Sequence, residues 1–110
     1  MQIKMEEKEG IVVCRLQSDV DINSSPDVRE YFEKLTREKK GKILIDLESI
    51  DYVDSSGLAT FVEILKNMRA YGGKLKLINL NDKVRGLFEI TKLDKLFDIA
   101  PSEADALSSF

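Results

Sequence analysis

The chain has 110 residues, which is enough for one hydrophobic core and too few for two. Hydrophobic residues make up 43% of the chain and charged residues 34%, a balance typical of a soluble globular domain. The net charge is −3, and the longest basic cluster is the short stretch at residues 37–40. Because a nucleic-acid binder needs a basic face to neutralise phosphates, this composition argues against a nucleic-acid partner.

Several types of active site are excluded by residues that the chain lacks. Histidine is absent, which rules out serine–histidine and cysteine–histidine catalytic pairs and removes the commonest transition-metal ligand. No Gly-x-x-x-x-Gly-Lys-Ser/Thr motif occurs, so a P-loop nucleotide site is unsupported. We therefore expect no catalytic residue, no metal and no cofactor. The single cysteine, Cys14, lies among strand residues and is interpreted as a small buried hydrophobe.

Nothing in the sequence predicts a membrane-bound protein. No apolar segment approaches the roughly 20 residues that cross a bilayer. Residues 1–7 lack the uninterrupted apolar core of a signal peptide. We expect a cytoplasmic protein with no membrane partner.

The N-terminal part of the chain predicts an antiparallel β-hairpin. Ile3 and Met5 alternate with polar residues, which predicts a strand with one buried face. A turn follows at residues 7–10, where Gly10 tolerates a positive φ. Residues 11–17 carry apolar side chains on both faces and predict the second strand.

A first helix is predicted after this hairpin. Residues 23–27 form a helix-start signal in which Asn23 or Ser24 can cap the helix and the proline suits the first turn. The helix ends near residues 40–41, and its apolar stripe consists of Val28, Tyr31, Phe32 and Leu35. Residues 42–47 then predict a buried third strand.

A second helix follows a turn that contains two serines. Asp54, Ser55 or Ser56 can each accept a hydrogen bond from the first helical amides. Two glycines at residues 72–73 end this helix near Tyr71. Its apolar residues recur at helical spacing and are Leu58, Phe61, Val62, Leu65 and Met68.

A fourth strand is predicted at residues 74–79, where alternation places Lys76 on the outward face. Asn81 or Asp82 then caps a third helix, residues 96–99 predict a brief edge strand, and residues 101–107 predict a last helix. The element order β-β-α-β-α-β-α-(β)-α predicts the α/β (α+β) class. We expect a mixed β-sheet of four to five strands with helices packed against it.

Polar residues from two separate connections are predicted to share one surface. If the strands that precede the first two helices run parallel, their carboxyl ends lie at the same edge of the sheet, where ligand sites are favoured. The residues that this arrangement brings together are Asp19, Asp21, Asn23, Ser24, Asp54 and Ser55.

The turn Asp54-Ser55-Ser56-Gly57-Leu58 lies after a hydrophobic strand and at the start of an amphipathic helix. It resembles the phosphorylation site of bacterial anti-sigma factor antagonists, which are stand-alone STAS domains. The similarity covers essentially the whole chain as a single STAS domain, residues 1–110. The family's Gly-acid-hydrophobic-Asp loop is matched by Ser18-Asp19-Val20-Asp21, with Ser18 in place of the glycine. By this resemblance, Ser55 is the phosphorylated residue.

The resemblance implies a phosphorylation-switched binding protein and not an enzyme. In this family the unphosphorylated protein binds an anti-sigma factor, which is itself a serine kinase of the histidine-kinase-like ATPase fold, and so frees a sigma factor for transcription. The kinase inactivates the antagonist by phosphorylating the serine, and a PP2C-type phosphatase reverses this step. The partner-binding surface expected here comprises Asp19, Asp21, Asn23, Ser24, Asp54, Ser56 and Gly57.

Other interpretations of the same residues are open at this point. Ser55 can be a simple helix cap, which contributes about 1 kcal/mol and has no signalling role. Asp21 and Asp54 can be considered as a general acid and base, although acidic loop residues more often serve as caps. The chain can also be a STAS subunit of a larger assembly, such as a lipid-transport ATPase or a stress-signalling complex. A nucleotide-binding module that uses the acidic loop is the remaining alternative.

Overall fold

The computed structural model describes all residues from Met1 to Phe110. It contains five strands and four helices, and a 3-10 turn at Leu93–Lys95 precedes the last strand. The strands are β1 (Ile3–Lys8), β2 (Ile11–Leu16), β3 (Lys42–Asp46), β4 (Lys74–Ile78) and β5 (Asp98–Ala100). The helices are α1 (Ser25–Arg37), α2 (Ser55–Arg69), α3 (Asp82–Ile90) and α4 (Glu103–Ser108). None of these helices combines the length and apolar character that a bilayer crossing requires.

The strands form one mixed sheet in which spatial order follows sequence order, β1-β2-β3-β4-β5. The first pair is antiparallel and the other three pairs are parallel. Since β2 and β3 run in the same direction, the connections that leave their carboxyl ends begin at the same edge of the sheet. The predicted class, element order and mixed sheet are confirmed.

The β1–β2 hairpin closes through a two-residue turn at Glu9 and Gly10. Both residues have positive φ angles, 54° and 79°, which is the geometry that matches the twist of the flanking strands. The prediction that Met5 lies on a buried face is wrong, because its side chain is 53% exposed. Met5 lies on the edge strand, where only Ile3 packs against the main hydrophobic cluster.

Both faces of the sheet are buried, but the hydrophobic cluster on one face is larger than the cluster on the other. The larger cluster has 23 buried residues and includes side chains of α1, α2 and α3, among them Phe32, Phe61 and Phe88. The smaller cluster has 6 buried residues, and α4 contributes Ala106 to it. The central strands therefore have almost no exposed side chain, as is typical of parallel strands.

Burial on the second face overturns the prediction for Lys76, whose side chain is 5% exposed instead of pointing into solvent. Its ammonium group donates to Ser109 Oγ, lies 3.4 Å from Asp98 Oδ2, and lies 5.0 Å from the centre of the Phe110 ring. Strand alternation identifies the face on which a side chain lies. It does not reveal that residues at the far end of the sequence cover that face.

Cys14 is fully buried in the larger cluster, as predicted. Burial disfavours the charged thiolate and raises the pKa of the thiol to about 12. A thiol in this environment is a packing residue, because the reactive form is hardly populated at neutral pH.

A network of charged side chains fastens α4 to the sheet. The Arg15 guanidinium donates to Glu103 Oε1 and Asp46 Oδ2, each at 2.7 Å, and also to Glu6. The Lys8 ammonium donates to Glu103 Oε2 at 2.6 Å. The hydrogen bond from Arg15, and to a smaller extent the one from Lys8, holds the pKa of Glu103 below its ordinary value. The short α4 thus depends on electrostatic contacts as well as on its few apolar residues.

Replacing Glu103 by Gln should lower the free energy of unfolding at about pH 7 by roughly 1 kcal/mol, because the amide loses two charge-assisted hydrogen bonds at a partly exposed site. The pKa of Glu103 is lower in the folded than in the unfolded chain. Its contribution is therefore complete above about pH 4.5 and is lost as the pH falls through the lowered folded value. Urea unfolding of both proteins at about pH 7 and about pH 3 measures this difference, which should shrink at the lower pH.

Glu30→Gln is the matched control, since Glu30 is exposed, lies inside α1 away from both helix ends, and forms no ion pair. It should leave the unfolding midpoint nearly unchanged at both pH values. A loss of stability in Glu103→Gln that is the same at both pH values would contradict the electrostatic explanation.

Candidate functional site

The site is built where the β2–α1 loop (residues 17–24) meets the β3–α2 loop (residues 47–54). Val20 and Val53 form an isolated parallel bridge between the two loops. The Val20 amide donates to the Tyr52 carbonyl at 3.2 Å, and the Asp54 amide donates to the Val20 carbonyl at 3.1 Å. The sheet pairing of β2 and β3 is thereby continued beyond the strands, and the predicted meeting of the two loops is confirmed.

Asp19 fixes the first contact between the loops. Its Oδ1 atom accepts hydrogen bonds from the Asp51 amide at 2.9 Å and from the Tyr52 amide at 3.1 Å. A carboxylate oxygen that accepts two amide hydrogen bonds from another loop has a structural role, because it holds the two loops together. Asp19 is half-buried and orders the loop that leads to Ser55.

Asp21 and Ser24 shape the loop before α1. Asp21 Oδ1 accepts from the amides of Asn23 and Ser24, at 2.9 and 3.0 Å. The Ser24 hydroxyl donates to the Asp19 carbonyl at 2.8 Å and accepts from the Asp21 amide at 3.0 Å. The prediction that Asn23 or Ser24 caps α1 through its side chain is wrong, because Ser24 occupies the cap position but its hydroxyl bonds back to the loop. Asn23 is exposed.

Asp54 joins the two loops at the start of α2. Its Oδ1 atom accepts from the Gly57 amide at 3.0 Å, which makes Asp54 the helix cap among the three predicted candidates. Its Oδ2 atom accepts from the Ile22 amide at 2.9 Å, in the other loop. One carboxylate therefore holds both the helix start and the neighbouring loop. Such use of both oxygens also argues against Asp54 as a general base.

Gly57 lies below the surface of the site and is buried. A Cβ atom at this position would lie 2.5 Å from the Val20 carbonyl oxygen and 2.7 Å from Val53 Cγ1, closer than non-bonded atoms approach. Among the predicted partner-binding residues, Gly57 therefore belongs to the scaffold, where its missing side chain lets the two loops approach each other.

Ser55 is the first residue of α2 and is exposed, whereas Ser56 is half-buried. The Ser55 hydroxyl is not among the groups that hold the loops together. The Ser56 carbonyl accepts from the buried Thr60 hydroxyl at 2.9 Å. Helix geometry leaves the amides of Ser55 and Ser56 directed outward at the positive end of the helix dipole.

An apolar groove of about 420 Å³ adjoins Ser55 between α2 and α3. Its lining includes Tyr52, Leu58, Lys83 and Leu87. Tyr52 is 47% exposed, and the Lys83 ammonium lies 5.9 Å from the centre of its ring. The sequence does not predict this groove, since the helical spacing of Leu58 and Leu87 is the spacing of core residues. The available signal was Tyr52, an aromatic residue two positions before the serine turn.

The site thus presents the exposed Ser55 residue at a helix start, held by loops whose carboxylates bind backbone amides, with an apolar groove beside it. No carboxylate accepts a hydrogen bond from the Ser55 hydroxyl, so the arrangement does not activate it as a nucleophile.

The fold and site together define a small α/β domain with an exposed serine at the start of its second helix. The family model for the STAS domain matches residues 2–106, and the chain belongs to the STAS domain family. It is 32% identical over 100 residues to an anti-sigma-B factor antagonist of Bacillus subtilis, with 91% of each chain covered. The resemblance of the serine turn to that of bacterial anti-sigma factor antagonists is confirmed.

Two solved structures show the same fold. An anti-sigma factor antagonist from Mycobacterium paratuberculosis has a TM-score of 0.89 at 20% identity, and the match covers 98% of this chain and 92% of that one. The Bacillus cell fate determinant SpoIIAA, solved in its phosphorylated form, has a TM-score of 0.74 at 21% identity, with 97% of each chain covered.

Replacing Gly57 by Ala should lower the free energy of unfolding by about 1–3 kcal/mol, because the new methyl group must displace the Val20 carbonyl. Gly86→Ala in α3 is the matched control, since a Cβ atom there meets nothing within 4 Å. That control should raise stability by roughly 0.5–1 kcal/mol through helix propensity alone. Urea unfolding measures both changes, and a gain of stability in both variants would show that the close approach is not a constraint.

Proposed function

We propose that this chain is an anti-sigma factor antagonist whose activity is switched by phosphorylation of Ser55. In its unphosphorylated form it binds an anti-sigma factor that is also a serine kinase, and this frees a sigma factor for transcription. Phosphorylation of Ser55 by that kinase ends the binding, and a PP2C-type phosphatase restores it. The observation that carries the proposal is the exposed hydroxyl of Ser55 at the first residue of α2. The chain acts by binding and does not itself catalyse a reaction.

The choice of Ser55 over Ser56 has a structural basis. Ser55 is exposed, while Ser56 is half-buried. A kinase must bring the γ-phosphate of ATP in line with the accepting oxygen, and an exposed hydroxyl allows this approach without unfolding of α2. Ser55 is therefore the better substrate of the two residues.

Phosphorylation at this position is expected to change the surface and to leave the fold intact. A phosphoserine adds about −1.5 to −2 charges and three acceptor oxygens. The amides at the start of α2 and the helix dipole favour an anion there. The loops that hold Ser55 are fixed by backbone contacts and by Asp19 and Asp54, so the protein need not rearrange.

The new charge acts mainly on a partner. Asp51 and Asp54 line the same groove as Ser55 together with Lys83, so carboxylates outnumber the single ammonium group there before modification. A docked partner would have to desolvate the dianion next to these carboxylates, and this weakens binding by about 2–5 kcal/mol. That loss is enough for an on/off response.

The relatives support the proposal. The Bacillus subtilis protein is an anti-sigma-B factor antagonist and matches this chain over nearly all of its length. SpoIIAA shares the fold and exists in a phosphorylated form. Within the proposed contact surface, Asn23 and Ser56 offer side chains to a partner, whereas Asp19, Asp21, Ser24 and Asp54 act chiefly by fixing the shape of the loops.

The test is to incubate the protein with the anti-sigma factor kinases encoded in the same genome and ATP, and to map the modified residue by mass spectrometry. Phosphate is expected on Ser55, with modification abolished in Ser55→Ala and retained in Ser56→Ala. Calorimetric titration with the same kinase should show binding of the unmodified protein. Affinity should fall at least about 100-fold in Ser55→Asp, because an acidic side chain repels the partner at the helix start.

Ser102→Asp is the control for added charge, because Ser102 is the N-cap residue of α4, which packs on the other face of the sheet. It should bind the kinase as the wild-type protein does. Phosphate on Ser56 or on no residue would contradict the site assignment. A stable complex with a transporter that is insensitive to Ser55→Asp would instead favour the larger-assembly alternative.

A further inference from the structure

Ile22 is an exposed apolar residue that the packing of the fold does not explain. Its side chain is 69% exposed and belongs to neither hydrophobic cluster. The buried stripe of α1 includes Val28, Phe32 and Leu35, and Ile22 lies before this helix begins. Single exposed apolar residues are common on protein surfaces. What distinguishes Ile22 is the way its backbone is attached to the site that contains Ser55.

The attachment is a direct hydrogen bond. The Ile22 amide donates to Asp54 Oδ2 at 2.9 Å, while Oδ1 of the same carboxylate caps α2. The next two amides, of Asn23 and Ser24, donate to Asp21 Oδ1. Ile22 is therefore presented on a loop whose backbone is already ordered. A loop that is ordered in this way loses little backbone conformational entropy on binding, which favours Ile22 as a contact residue.

The charges around Ile22 indicate the chemistry of what covers it. The loop from Ser18 to Ser25 contains Asp19 and Asp21 and no basic residue, and Asp54 lies directly beside it. An apolar side chain within an acidic border is complementary to an apolar pocket that is bordered by lysine or arginine. A second copy of this chain presents the same acidic border and is a poor match.

We propose that Ile22 is a contact residue for the anti-sigma factor, and that its side chain enters an apolar pocket bordered by basic residues on that partner. This inference rests on the proposed function. The Ile22 amide is bonded to Asp54, the residue before Ser55, so a single partner can contact both Ile22 and Ser55. The interface then includes the position at which a phosphate on Ser55 must be desolvated. Binding of the partner and its release depend on neighbouring residues with separate chemistry.

The test compares the affinities of Ile22→Ala, Ile22→Leu and the wild-type protein for the anti-sigma factor kinase that phosphorylates Ser55, measured by calorimetric titration. Ile22→Ala should bind at least about tenfold more weakly, as expected for a central apolar contact. Ile22→Leu should stay within about threefold of the wild type, because it keeps the apolar volume. The wild-type affinity should fall with added salt, while the ratio between wild type and Ile22→Ala should stay constant.

Met5→Ala is the matched control, since Met5 is 53% exposed in the edge strand and lies outside both loops. It should bind as the wild type does, and all four proteins should share one urea midpoint. If Ser55→Asp loses binding while Ile22→Ala keeps wild-type affinity, the role of Ile22 is overturned and the proposed function stands. If Ser55→Asp also binds normally, the proposed function fails, and the inference about Ile22 fails with it.

Discussion

The carboxylate of Asp54 is the contact on which the site depends. One oxygen caps α2 and the other holds the β2–α1 loop through the Ile22 amide. Without the first bond, the helix that carries Ser55 loses its cap; without the second, the acidic loop loses its attachment to that helix. Gly57 also allows the two loops to pack together, because its missing side chain lets the Val20 carbonyl approach the first turn of α2. The position of Ser55 is thus a result of contacts between two loops, made by the Asp54 carboxylate and by backbone groups.

Under the proposed function, these contacts let phosphorylation of Ser55 act without a change of fold. The loops are joined by a bridge between Val20 and Val53 and by amide hydrogen bonds to Asp19. Such a junction is stiff, and the start of α2 already favours an anion. A phosphate placed there meets a scaffold that can accommodate it, and so its main effect is on whatever approaches from outside.

Much of this arrangement could be predicted from the sequence, because it rests on local patterns. Apolar periodicity and helix-start residues predicted the elements of the sheet and helices, and the parallel strand order predicted that Asp19, Asp21 and Asp54 share one edge. The burial of Lys76 could not be predicted, since it depends on residues after β5 that pack against β4, a strand far from them in the sequence. The capping role of Ser24 was predicted wrongly, because its hydroxyl has a competing acceptor in the Asp19 carbonyl. The apolar groove beside Ser55 was missed, since a residue that lines a groove has the same spacing as one that fills a core.

The bond between Asp54 and position 22 uses the backbone amide and leaves the isoleucine side chain uninvolved. Any residue except proline can therefore occupy this position without disturbing the serine turn. Under the proposed function, paralogous copies of such a domain in one cell can diverge at this position and keep phosphorylation of the serine. Crosstalk between parallel signalling pathways can then be limited by substitutions at a single loop position.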